Sequence, residues 1–144
     1  MQKNERYIAL CSQMEKGEVL PGVLPFLEEL RENGFKIALG SASKNAPLIL
    51  QRVGIESFFD VIIDGNHITK GKPDPQVFLL GAAALKVSVA HCVVFEDAEA
   101  GVQAANAAGM YSVGVGAQEQ LSHAHHVIPN LAHFGLKDLL ALKG

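Results

Sequence analysis

The sequence contains no tryptophan and only two cysteines, Cys11 and Cys92, in no Cys-x-x-Cys pattern. That argues against a disulfide framework or a thiolate metal centre. Long apolar runs are missing as well: none approaches the ~20 residues that span a bilayer, so no membrane partner is expected. Neither sign of charge dominates, with 12 basic and 15 acidic residues, and no Lys/Arg cluster marks a nucleic-acid footprint. No apolar signal-peptide core follows Met1–Arg6, which makes cytoplasm the expected location. What remains is 144 residues, 49% hydrophobic, enough for one domain with a packed core.

The apolar pattern divides that chain into short elements. Tyr7, Leu10, Cys11 and Met14 recur at i, i+3, i+4, i+7, which predicts an amphipathic helix over 3–16 ended by Gly17. Val23, Leu24, Leu27 and Leu30 predict a second helix, closed by Asn33-Gly34. Strands are expected at 35–39, 59–63, 92–95, 111–115 and 126–128. Between them come helices over about 46–53, from Asp74-Pro75 to about 86, over 98–108 and from about 136. Short apolar strands alternating with helices indicate βαβ units, hence an α/β, doubly wound, mostly parallel sheet.

In such a sheet the ligand site lies beyond the carboxyl ends of the strands. After 35–39 come Gly40-Ser41-Ala42-Ser43-Lys44-Asn45: hydroxyls, small residues, a lysine and a helix start, a combination that suits an oxyanion. The same residues also serve as ordinary turn and cap residues. Gly71-Lys72-Pro73-Asp74-Pro75 holds a lysine between prolines, either a solvated charge or a fixed counter-charge for a phosphoryl group. After 92–95 come Glu96-Asp97, hard oxygen ligands suited to Mg²⁺, or else a solvated acidic turn at a helix N-terminus. Together the three strand ends describe a phosphate site with a divalent cation.

In order and spacing these segments resemble the haloacid dehalogenase-like phosphotransferases, and within them the β-phosphoglucomutase-like family. The likeness is carried by Lys36–Asn45, by Lys72-Pro73-Asp74-Pro75, and by Phe95–Ala105 with Ala107–Met110. It implies a Rossmann-type core, Mg²⁺ as cofactor, a phosphorylated sugar as partner, and transfer through an aspartyl-phosphate. Under it Ser41 and the Ala42 backbone N–H hold the transferring phosphoryl group, and Ser43, Lys44 and Asn45 grip the sugar's other phosphate. Lys72 neutralises phosphoryl charge, Glu96 and Asp97 ligate the metal, and Lys3 and Asn4 contact substrate near a cap hinge.

One departure is large. The family's nucleophile and acid/base come from an Asp-x-Asp-x-Thr on the first, central strand, and no Asp-x-Asp occurs here: the aspartates are 60, 64, 74, 97 and 138. The resemblance therefore implies the C-terminal portion of such an enzyme, with 1–17 as the last helix of the helical cap and 18–144 as a core lacking its first central strand. A second chain or fragment is expected in the gap, since two rows of unpaired backbone groups are costly. The chain alone is expected to be inactive.

His123, His125 and His126 form a His-x-His-His cluster that could bind a transition metal, but no carboxylate or cysteine completes a known metal spacing, so no metal site is expected there. Leu27, Leu30, Leu79 and Leu80 read as core. Gly101 and Gly109 read as sites of close helix–sheet approach and helix termination.

Overall fold

The computed structural model describes residues 7–11, 23–40, 57, 59–129, 135 and 137–139. Strands β1 (Tyr7–Cys11), β2 (Lys36–Gly40), β3 (Val61–Ile63), β4 (Cys92–Glu96), β5 (Tyr111–Val115) and β6 (His126–Ile128) form one sheet in the order β3-β2-β1-β4-β5-β6. Every pairing is parallel. Helices α1 (Val23–Glu32), α2 (Gln76–Leu85), α3 (Glu99–Ala107) and the short α4 (Gln118–Leu121) accompany it. A 3-10 turn at Val89–His91 leads into β4.

β2 and β4 bury residues on both faces of the sheet, alternating with a period of two. Ile37, Leu39, Val93 and Phe95 pack with Phe26, Leu27 and Leu30 of α1 on one side. Ala38, Cys92 and Val94 pack with α2 residues Val77 and Phe78 and α3 residues Ala104 and Ala105 on the other. Helices on both faces of a parallel sheet are the doubly wound arrangement expected from the sequence. Cys92 is a buried free thiol within the second cluster, as its apolar neighbours suggest.

The helix expected over 3–16 is corrected at its centre. Tyr7–Cys11 is the strand β1, pairing with β2 through Tyr7–Lys36 to Cys11–Gly40 and with β4 through Tyr7–Cys92 to Leu10–Phe95. The sheet therefore has a strand in the slot expected to be empty, filled from this chain rather than by a second one. The physical reason is that Tyr7-Ile8-Ala9-Leu10-Cys11 is an unbroken apolar run, which fits a strand buried on both faces as well as it fits a helical stripe. Two waiting rows of hydrogen-bonding groups then outweigh local periodicity.

Elsewhere the differences are small. The strand expected at 59–63 is Val61–Ile63, preceded by a mutual contact in which Asp60 N–H donates to the Ile37 carbonyl at 2.7 Å and Asp60 Oδ2 accepts from Ile37 N–H at 2.8 Å. Pro75 stands just before α2 rather than in it, while Asp74 Oδ1 accepts from Gln76 N–H at 3.0 Å. Leu79, expected in the core, is 42% exposed, because α2 turns Val77, Phe78, Gly81, Ala82 and Leu85 to the sheet. The helix expected over 46–53 lies outside the described residues, and 137–139 are helical as expected.

Candidate active site

The strand order reverses direction between β1 and β4: from β1 the chain builds outward to β2 and β3, then returns to add β4, β5 and β6 on the other side. A crevice opens outside the carboxyl ends of the strands at such a point. β2 ends there at Gly40 and β4 at Glu96, and the loop between β3 and α2 brings Lys72 between them. Lys72 Nζ donates to Glu96 Oε2 at 2.9 Å and lies 3.5 Å from the Gly40 carbonyl oxygen. The Phe78 ring sits under the ammonium, 5.4 Å from its centroid.

Glu96 is wholly buried, and the Lys72 side chain is 12% exposed. A carboxylate taken out of water survives ionised only with partners. Here Oε2 has the Lys72 ammonium, and Oε1 accepts from Asp97 N–H at 3.0 Å and Ala98 N–H at 3.2 Å. Asp97, only partly open to solvent at the strand end, is different. Burial of its carboxyl first, then the adjacent Glu96 charge and a hydrogen bond with it, push Asp97 up to about 6; its backbone hydrogen bond and Lys72 oppose this without prevailing.

The loop that carries Lys72 is fixed at several points. The Lys72–Pro73 peptide is cis. Gln76 Oε1 accepts from Thr69 N–H at 2.7 Å and Lys70 N–H at 2.9 Å, tying the loop to the start of α2. Asp74 N–H donates to the Gly71 carbonyl at 3.0 Å. Gln76 was not singled out from the sequence; a polar residue one position after Asp-Pro gives no signal that distinguishes a loop clamp from a solvated helix start.

Of the sequence candidates, the structure brings Lys72, Glu96 and Asp97 together. Ser41, Ala42, Ser43, Lys44, Asn45, Lys3 and Asn4 lie outside the described residues. A hard cation suits the Glu96–Asp97 pair, since it would offset the negative charge of two adjacent carboxylates. Among the described residues no group of three His, Cys, Asp or Glu side chains forms a metal cage, so those two carboxylates are an incomplete set by themselves.

Of the three clustered histidines, His125 has a structural role. His125 Nδ1 accepts from Ser112 N–H at 3.0 Å, and its ring stacks on Tyr111 with centroids 4.7 Å apart. Buried Ser112 Oγ donates to Asn106 Oδ1 at 2.7 Å and accepts from His125 N–H at 3.1 Å, which pins the segment before β6 to β5. No described helix is long and apolar enough to cross a membrane.

Known proteins resemble the chain in sequence and fold. The chain is 44% identical over 126 residues to the β-phosphoglucomutase of Bacillus subtilis, covering 88% of this chain and 56% of that protein. It is 43% identical over 79 residues to fructose-1-phosphate phosphatase YqaB of Escherichia coli, covering 55% of this chain and 42% of that one. The crystal structure of β-phosphoglucomutase from Clostridium difficile superposes with a TM-score of 0.84 at 37% identity, over 90% of this chain and 58% of that one. The chain thus spans about half the length of the curated relatives it matches. A family model of haloacid dehalogenase-like hydrolases matches residues 2–109. With the fold and these likenesses in agreement, the chain belongs to the haloacid dehalogenase-like hydrolase family.

Proposed function

We propose that this chain contributes the charge-bearing part of a Mg²⁺-dependent phosphoryl-transfer site acting on a sugar phosphate, most like that of β-phosphoglucomutase. The observation that supports it best is the meeting of Lys72, Glu96 and Asp97 beyond the carboxyl ends of β2 and β4, at the reversal of strand order. Lys72 presents a nearly dry ammonium, which neutralises charge on a phosphoryl group far better than a solvated one. Glu96 holds that ammonium in place, and Asp97 offers the carboxylate that a cation can reach. Mg²⁺, when bound there, supplies further neutralisation of phosphoryl oxygens.

Ser41 and the Ala42 N–H would receive the transferring phosphoryl group, with Ser43, Lys44 and Asn45 on the second phosphate and Lys3 and Asn4 at the sugar. Ser12-Gln13-Met14 follow β1, where the family resemblance places the nucleophilic aspartate, so this chain has no acceptor for the phosphoryl group. It is inactive by itself on this reading.

Ser43-Lys44-Asn45 favours a mutase, which must hold two phosphates at once. The likeness to fructose-1-phosphate phosphatase supports the alternative, a sugar-phosphate phosphatase. The two are separated by product. A variant with Asp-x-Asp-x-Thr in place of Ser12–Lys16, directly after β1, is given β-glucose 1-phosphate, Mg²⁺ and a trace of glucose bisphosphate. Glucose 6-phosphate is the expected product; inorganic phosphate alone would identify the phosphatase instead.

A further inference from the structure

Gly101 occupies the third position of α3 and is buried in the fold. A Cβ built there overlaps Glu96 itself, meeting Cδ, Cγ and Oε2 of the carboxylate arm. These are not backbone atoms of a neighbouring strand, so the glycine makes room for one side chain rather than for the general approach of helix to sheet. That side chain is the one fully buried acid among the described residues, and it holds Lys72 at 2.9 Å.

We propose that Gly101 is a positioning residue. By lacking a side chain it opens the dry slot in which Glu96 sits, and through Glu96 it fixes where the Lys72 ammonium stands. The proposal takes the role of Lys72 from the function proposed above, but the seating of Glu96 is independent of any reaction. Glu96 is held at the turn before α3 as well as by Lys72. Its Oε1 is tied to Asp97 N–H and Ala98 N–H immediately before α3, so the carboxylate is gripped by the same turn whose third helical residue leaves it space. A methyl group at 101 would drive the carboxylate out of reach of those donors and of Lys72 together.

A double-mutant cycle on the whole chain tests this. Gly101→Ala in the otherwise native sequence is expected to lower the folding equilibrium constant at least about tenfold, as forced overpacking does. In a Glu96→Ala background the obstruction is gone, and the same change is expected to be neutral or slightly favourable, since alanine is the better helix former. In a Glu96→Gln background the side chain keeps its volume, and the loss is expected to persist. If Gly101→Ala alone does not fold, recovery of folding in the Glu96→Ala double variant is the same result at its limit. Equal losses in all three backgrounds would overturn the proposal and show a general packing role.

The second readout is the accessibility of Lys72, measured as its rate of acetylation relative to exposed Lys70 by mass spectrometry under native conditions. It is expected to rise severalfold in folded Gly101→Ala protein. A coupled cycle with unchanged Lys72 acetylation would overturn the positioning of Lys72. Failure of the phosphoryl-transfer reading would leave both of these results untouched.

Discussion

At the end of β4 one carboxylate serves three donors, and its neighbour serves none as well. Glu96 is wholly buried and fixed by Lys72, Asp97 N–H and Ala98 N–H, whereas Asp97 meets the solvent. Removing Lys72 takes the positive charge away from a carboxylate that is wholly buried. Lys72→Met is therefore expected to destabilise the fold by about 3 kcal/mol or more, measured by urea denaturation at pH 7.5. A loss within the range of a surface substitution would mean that Glu96 is neutral or finds another partner. Asp97 carries the opposite sign. Its folded pKa, about 6, stands above the ordinary 3.8, so the native state holds a proton that the unfolded state releases over that interval. The stabilisation this gives is fully present below 3.8 and is lost as pH rises through 6. Asp97→Asn should accordingly be more stable than the native chain at pH 7.5 and lose that advantage towards pH 4. A pH-independent difference between the two urea midpoints would contradict the assignment. Little of this was legible from the sequence, because Glu-Asp at a strand end reads the same whether one, both or neither carboxylate is buried.

The helices end alike although their sequences do not. After α1, Gly34 takes φ +80°, with Phe35 N–H donating to the Leu30 carbonyl at 3.0 Å. After α3, Gly109 takes φ +82°, with Met110 N–H donating to the Ala105 carbonyl at 3.1 Å. α2 closes the same way, Val87 N–H to the Ala82 carbonyl at 3.0 Å, but the left-handed residue is Lys86 at φ +63°. All three are Schellman ends. The two glycine stops were readable from the sequence, whereas the lysine stop was not, since no local rule prefers lysine there. Left-handed backbone costs a residue with a Cβ about 1–2 kcal/mol, partly offset in a glycine variant by the freer unfolded chain. Lys86→Gly is expected to stabilise the fold by about 0.5–1 kcal/mol, checked by the shift in thermal midpoint. No change, or a loss, would show that the Lys86 side chain holds more than the helix end.

For the molecule as a whole, the decisive segment is the one whose pattern is ambiguous. β5 and β6 fall at 111–115 and 126–128, where the apolar runs put them, because turn residues bound each run on both sides. Tyr7–Cys11 satisfies a helical stripe and a buried strand equally, and only the slot between β2 and β4 decides between them. Pairing information of that kind is not local, so no window of sequence contains it. Amide hydrogen exchange checks the outcome: the 8–11 amides are expected to be protected to nearly the same degree as those of β4. Protection far below that of β4 would mean that the centre of the sheet is not held by this segment. The candidate site divides in the same manner. Its residue types were visible as motifs at strand ends, whereas the depth of Glu96, the loop clamp of Gln76 and the space left by Gly101 exist only once the strands are paired.

The same topology places Lys72 at the mouth of the sheet and leaves the chain without an aspartate at the end of β1. Phosphorus-31 NMR with β-glucose 1-phosphate, Mg²⁺ and a trace of bisphosphate tests that combination most directly. The account predicts no turnover by the 144-residue chain. It predicts turnover when Asp-x-Asp-x-Thr replaces Ser12–Lys16 after β1, reduced at least about a hundredfold by Lys72→Met. Phosphoryl transfer by the chain alone, or transfer by the completed chain that is indifferent to Lys72→Met, would contradict it.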